Sequence, residues 1–507
     1  MMINCKLIST DHSIPDQIIK AGQTLIIGRN QQCKIKNLFC SRNYCKIQLL
    51  SNENKLLVEY LKDDRTVQMK SGEFINGPGF SYRICMIHDS KNASTMAHVM
   101  NDEISWTELE SGNVMICSLF GGYDCKSDKI AGFDFDFTLV CTKTGKPFPS
   151  DENDWKLFDP RLTGFIQKLV KQQGYRFVIF SNQLGISKGK VTVDMVRKRF
   201  ENSMKDLCIE RIPCLILVAT KDDIYRKPCI GLWNHLVRNI QPDVEINLKQ
   251  SFYVGDAAGR SKSALKKADF SASDILFAMN IGVNFLTPEQ FLIHVAKYNG
   301  FDYQQKFEYS SSLPEKCFKV DDKTKESNFL LTNRLTGEKI PNIESILPTR
   351  VHCIIFCGIS GSGKTTFYEN YLQPLNYVHV NYDQLKTIQK CQQLMKKSIQ
   401  EQRNIVIDNT NIERKSRQQW INLCKENGYE WIIFHFELLL KHIFHNNKFR
   451  QLTGIHKSVP DVVIYSQNKK FESLQDDECN RQFIVNFNQK FLQHDHQKLY
   501  SMYLLEK

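Results

Sequence analysis

The chain has 507 residues, more than one ordinary core accommodates, and this length suggests about three domains. Hydrophobic residues at 42% and charged residues at 24% exclude a disordered or fibrous chain, and 67 Lys and Arg against 55 Asp and Glu give a net charge of +12, which permits a polyanionic partner without requiring one. The 17 cysteines form no CxxC pair, which argues against a zinc site or a disulfide framework and favours a reducing compartment. No secretory signal opens MMINCKLIST, and no apolar run approaches the about 20 residues of a bilayer span, so no membrane association is expected.

Short β-type runs, QTLIIGR, YCKIQLL, NKLLVEY and YRICMI, separated by polar turns, predict a small all-β module over residues 1–90. The stretch HDSKNASTMAHVMNDE has few large apolar residues, and 91–112 reads as a linker. Strands IAGFDF, RFVIFS, CLILVA and QSFYVGD then alternate with helical segments such as DPRLTGFIQKLVKQQG. That alternation predicts an α/β domain with a parallel sheet over 113–340, its end including a polar, turn-rich connector. A second α/β domain with a parallel sheet, 341–507, opens with RVHCIIFCGISGSGKTTF. The fold class is therefore multidomain, a small β-module followed by two α/β domains.

In IAGFDFDFTLV a buried-looking strand ends in two carboxylates, where ligands of open α/β sheets sit. A carboxylate can attack phosphorus to form an aspartyl-phosphate, and a second acid must protonate the leaving oxygen and later deprotonate water. Asp134 and Asp136, same-facing positions of an extended segment, suit those roles, with Mg²⁺ needed to keep both ionised beside a phosphate. Later strand ends add Ser181 as a phosphate donor in VIFSNQLGIS, Lys227 as a fixed charge in YRKPCIG, and Asp256 as a metal-binding acid in FYVGDAAGR. Lys188, Lys190 and the segment from Arg260 to Lys267 are candidates for guiding a nucleic-acid backbone.

This order of motifs resembles the haloacid dehalogenase superfamily of phosphohydrolases. The wording SNQLGISKGK, YRKP followed by Gly231 and Trp233, and VGDAAGR followed by KKADFSASD is closer still to the 3′-phosphatase domain of the bifunctional polynucleotide kinase 3′-phosphatases. That family usually has glycine where Phe137 stands.

The run Gly358-Ile359-Ser360-Gly361-Ser362-Gly363-Lys364-Thr365 satisfies GxxxxGK[ST] directly after the apolar strand CIIFC. Its backbone amides would cradle ATP phosphates, Lys364 would reach the β- and γ-phosphates, and Thr365 would ligate Mg²⁺, with Thr366 next in the helix. Asp383 in HVNYDQLKT is a candidate base for an attacking hydroxyl, Asp408 in NIVIDNTN a Walker-B-like metal position, and Arg450 in NNKFRQLTG a lid arginine. HVNYD, VIDNTN and FRQLTG resemble the 5′-kinase domain of the same family, which often has an arginine where Lys448 stands.

Gly28-Arg29 and Ser41-Arg42 of the first module resemble the forkhead-associated fold, a β-sandwich. The resemblance implies phosphothreonine recognition by Arg29, Ser41 and Arg42, although Phe39 replaces an expected basic residue. Together the resemblances imply a Mg²⁺-dependent enzyme that removes 3′-phosphates and phosphorylates 5′-hydroxyls at DNA nicks, gaps and double-strand breaks. They further imply a phosphothreonine-containing repair scaffold as partner, a monomeric state, and the nucleus as compartment with mitochondria as a second. The alternatives are an RNA-end or small-metabolite kinase-phosphatase and a phospho-dependent scaffold with decayed catalytic domains.

Overall fold

The computed structural model describes the backbone of eight strands within residues 1–88 and residues 104–506, apart from 110–111, 209–210, 263–267, 305–329, 456 and 487–493. The chain divides into two compact units, 1–103 with 234–245, and 104–233 with 246–507.

In the first unit β1 (Ile3–Ser9), β2 (Gln17–Lys20), β3 (Thr24–Ile27), β4 (Cys45–Leu50), β5 (Lys55–Tyr60), β6 (Arg65–Met69), β7 (Phe74–Gly77) and β8 (Phe80–His88) form two four-stranded sheets, ordered β2-β1-β8-β7 and β3-β4-β5-β6. Every pairing is antiparallel, as short β runs joined by polar turns require. Arg29, Ser41 and Arg42 lie outside the described residues.

The second unit holds two seven-stranded sheets. The first comprises β9 (Ser105–Glu108), β10 (Val114–Leu119), β11 (Ile130–Phe133), β14 (Arg176–Asn182), β15 (Cys214–Ala219), β16 (Phe252–Val254) and β17 (Asn284–Leu286), in the order β17-β16-β11-β14-β15-β10-β9. A separate hairpin, β12 (Val140–Cys141) with β13 (Lys156–Leu157), follows β11 in the chain. The second sheet comprises β18 (Leu331–Asn333), β19 (Lys339–Ile340), β20 (His352–Cys357), β21 (Val378–Asn381), β22 (Ile405–Asp408), β23 (Glu430–His435) and β24 (Gln482–Val485), in the order β19-β18-β24-β23-β20-β22-β21.

Neither sheet is purely parallel, which corrects the sequence expectation. In the first, β10 runs antiparallel to β15 and to β9; in the second, β18 runs antiparallel to β24 and to β19. The central parallel strands β11, β15 and β20 are buried throughout, whereas these additions lie toward one edge of each sheet, where an antiparallel strand needs no crossover helix. β9 falls inside the stretch read as linker, and β18 and β19 pair with the second sheet although they precede residue 341.

The central strand β11, IAGF, is buried throughout, and Phe133 packs edge-on against Phe177, Phe252 and Phe291. β20, HCIIFC, is likewise fully buried between β22 and β23. Each domain thus fixes the carboxyl end of a rigid central strand, from which its candidate site springs. Among the described residues no helix is long and apolar enough to cross a membrane.

Candidate active sites

β11 delivers Asp134 to the carboxyl edge of the first sheet, and the Asp134 amide bonds to the Val254 carbonyl of the neighbouring strand. The Lys227 side chain is buried, and its Nζ donates to Asp134 Oδ1 at 2.5 Å, Asp274 Oδ1 at 2.7 Å and the Tyr253 hydroxyl at 2.7 Å. Carboxylate oxygens of Asp134, Asp256 and Asp274 lie within 4.8 Å of one another. Burial raises the Asp134 carboxyl to about 7 although Lys227 pulls it down, and burial together with Asp274 and Asp134 pushes Asp256 well above its ordinary value. Three carboxyls facing one lysine carry a surplus of negative charge that a hard divalent cation with oxygen ligands would relieve, so the donor set fits Mg²⁺.

Asp274 went unassigned in the sequence although it ends the quoted KKADFSASD. It begins the helix Ser273–Ile281, accepts the Ala257 amide at Oδ2 (3.0 Å), and crowds Gly255, where a Cβ would stand 2.5 Å from its carboxyl group. A side chain at 255 would expel the acid from the site.

Asp136 has partners of its own. Arg199 Nη1 pairs with its Oδ1 at 2.7 Å and Gln183 Nε2 donates to its Oδ2 at 2.8 Å, while the same Gln183 nitrogen donates to the Ser181 hydroxyl at 3.0 Å. The Asp136 carboxylate is not among the three clustered ones. Between the two acids Phe135 is buried against Phe200, rings 4.0 Å apart, which turns the flanking carboxylates to the open side. Phe137 takes the left-handed conformation, φ 58°, and its amide bonds to the Val140 carbonyl as the chain enters the β12–β13 hairpin. This backbone geometry is the physical reason glycine suits the position, and the phenylalanine bears strain of about 1–3 kcal/mol there.

Of the basic residues, Lys188 and Lys190 are exposed after the Ser181 strand. Arg260 is instead engaged by Asp269 at 2.8 Å and Glu289 at 3.2 Å, and 263–267 lie outside the described residues.

In the second domain the loop after β20 turns through Gly361 and Gly363, φ 85° and 89°, into the helix Lys364–Phe367. Lys364 is buried and folds back on the loop, donating to the carbonyls of Gly358 (2.8 Å) and Ile359 (2.9 Å); burial lowers it to about 8. The Ser360 amide donates to Gln467 Oε1 at 2.8 Å. Ser362, Gly363 and Thr366 line a shallow cavity with Phe367 and Phe436.

β22 brings Asp408 beside this loop. Its Oδ2 accepts hydrogen bonds from Thr365 Oγ1 (2.9 Å) and Asn381 Nδ2 (2.9 Å) and lies 2.9 Å from His379 Nε2. Burial would raise this carboxyl, but His379, Lys364 and Thr365 outweigh it and hold it below the usual carboxylate range. An ionised acid bonded to the P-loop threonine fits a Mg²⁺-nucleotide site. Asp383, exposed on the short helix Tyr382–Leu385, and Arg450, on the helix Leu440–Thr453, both act electrostatically on Lys364. Arg450 Nε is buried without a hydrogen-bond partner. His379 and Asn381 carried no sequence signal because the register of β21 beside β22 brings them in, and Gln467 comes in from the helix Asp461–Lys470.

One centre suits phosphate hydrolysis through carboxylates and a lysine, and the other suits phosphoryl transfer from a nucleotide; together they define a two-site phosphate-processing protein on successive α/β domains. Residues 129–292 match the family model described as polynucleotide kinase 3 phosphatase, and residues 353–474 match that of an AAA domain. The chain is 32% identical over 366 residues to the sequence named as a bifunctional polynucleotide phosphatase/kinase in Acanthamoeba polyphaga mimivirus, covering 68% of this chain and 80% of the other. It is 29% identical over 391 residues to the bifunctional polynucleotide phosphatase/kinase of Schizosaccharomyces pombe, covering 76% and 84%. The polynucleotide 3′-phosphatase of Arabidopsis thaliana is 35% identical over 181 residues, 33% of this chain and 24% of that one. The chain belongs to the bifunctional polynucleotide phosphatase/kinase family.

Proposed function

We propose that the chain restores ligatable DNA ends, removing the 3′-phosphate at one centre and phosphorylating the 5′-hydroxyl at the other, at nicks, gaps and double-strand breaks. The observation that carries this reading is that two complete constellations stand on separate sheets, the acids around Lys227 and the Lys364 loop with Asp408.

At the first centre Asp134 attacks phosphorus as the bond to the 3′-oxygen breaks, and Asp136 gives that oxygen its proton. Asp136 then takes a proton from the water that releases phosphate from Asp134. Arg199 and Gln183 hold Asp136 in place, Ser181 donates to phosphate oxygens, and Lys227 favours the ionised form of Asp134 against the burial that raises it. Asp134, Asp256 and Asp274 would hold Mg²⁺, which supplies charge neutralisation on the phosphate.

At the second centre the loop amides and Lys364 bind ATP phosphates, Thr365 and Asp408 hold their Mg²⁺, Asp383 accepts the proton of the 5′-hydroxyl, and Arg450 offsets charge on the transferred group. Exposed Lys188 and Lys190 would follow the substrate backbone. The first module reads a phosphothreonine-containing repair scaffold through Arg29, Ser41 and Arg42, and the protein works in the nucleus.

The test is a comparison of nicked DNA, RNA ends and free nucleotides as substrates under one salt condition. Turnover on nicked DNA at least tenfold above the others is expected; preference for RNA ends or mononucleotides would refute the assignment.

A further inference from the structure

The loop carrying Lys227, residues 220–231, belongs to the phosphatase domain, yet many of the groups holding it come from the kinase domain. On one side of the lysine, Asp222 accepts Lys448 Nζ at 2.6 Å and Gln451 Nε2 at its carbonyl (2.8 Å). Immediately before it, Arg226 Nε donates to Glu506 Oε1 at 2.9 Å. Immediately after it, the Pro228 carbonyl accepts Asn280 Nδ2, which donates also to the Tyr503 carbonyl, both at 2.9 Å, and Cys229 is buried in one apolar cluster with Phe449, Tyr500 and Leu504. The Glu506 carbonyl further accepts the amide of Ala272, two residues before Asp274.

We propose that Glu506 and Lys448 are positioning residues of the phosphatase reaction, the kinase domain clamping the loop that aims Lys227 at Asp134. Among the described residues Lys227 Nζ hydrogen-bonds only to groups of the phosphatase domain, so the kinase domain acts through the backbone on either side of it. The Arg226–Glu506 pair is the stronger clamp, its side chains 17% and 28% exposed, because less solvent screens it than the Lys448–Asp222 pair with its 42% exposed aspartate. The clamp is anchored on its own side: Tyr500 donates its hydroxyl to Asn446 Oδ1 at 2.5 Å, and Asn446 Nδ2 donates to the Gly361 carbonyl of the nucleotide loop at 2.9 Å. Lys448, which stands where the family often has an arginine, is thereby occupied at the domain junction.

The proposal rests on the phosphatase reading and is tested on the full chain with a 3′-phosphorylated single-stranded oligonucleotide, without ATP. Arg226→Glu and Glu506→Arg should each lower the phosphatase kcat about tenfold or more while KM stays within about threefold, since misplacing a catalytic group by about 1 Å costs on the order of 100-fold. The double swap should recover activity to within about threefold of the parent, and K448Q, which removes charge without repulsion, should lower kcat in the same direction. Unchanged kcat in both single variants, or a double swap no better than either one, would overturn the clamp. Parent protein lacking 3′-phosphatase activity would instead overturn the reading beneath it.

Discussion

Asp136 pairs with Arg199, whose side chain is 6% exposed, so its replacement removes both the acid and the charged partner of a buried guanidinium. Asp136→Asn is expected to slow 3′-phosphate removal by about 10²–10⁴-fold and to lower the melting temperature as well; a loss under tenfold in the folded variant would place the acid elsewhere. Lys364 offers a pH test. In the empty site burial holds it at about 8, whereas bound phosphates would keep it protonated. ATP binding below that value needs no proton, and above it one must be taken up, so affinity should fall by up to about tenfold per pH unit above 8. Calorimetry in buffers of different ionisation enthalpy would show the uptake; flat affinity between pH 7 and 9.5 would contradict it. Asp134, Lys227 and Lys364 were legible because each sits in a motif after an apolar strand. Asp274 and Arg199 were not, because each lies on a helix and its approach to the site is a tertiary event.

At the scale of elements, the second domain depends on a buried ion pair. Arg417 on the helix Arg414–Glu426 donates from Nε and Nη2 to Glu478 at 2.6 and 2.8 Å, with neither side chain exposed. Arg417 Nη1 also donates to the carbonyls of Asn411 and Ile412, the segment following Asp408, so the pair ties that loop to the domain core. Glu478→Ala leaves the guanidinium buried and unpaired and should destabilise the domain by about 3–5 kcal/mol. Denaturant titration would measure this; a change below about 1 kcal/mol would show that water reaches the site. The central strands were readable as apolar runs. The antiparallel strands β9, β10, β18 and β19 were not, because antiparallel additions have no crossover helix to announce them.

For the whole molecule, residues 1–88 form the two antiparallel sheets of the first unit, and both centres lie in the second unit. If Arg29 and Arg42 read phosphothreonine, replacing both by alanine should abolish binding of an acidic phosphothreonine peptide while turnover on naked DNA persists. Calorimetry with the unphosphorylated peptide as control decides it; equal binding of both peptides by the parent protein would refute the role.

The central claim is that one chain carries two chemically separate phosphate-processing centres. Its most direct test is a nicked duplex bearing a 3′-phosphate and a 5′-hydroxyl, with both ends analysed after incubation with Mg²⁺, with and without ATP. The 3′-phosphate should be lost in either case and the 5′-phosphate should appear only with ATP. Asp134→Asn should stop only the first reaction and Lys364→Ala only the second. A folded single variant of either kind that loses both reactions, or 3′-phosphate removal that requires ATP, would contradict the account.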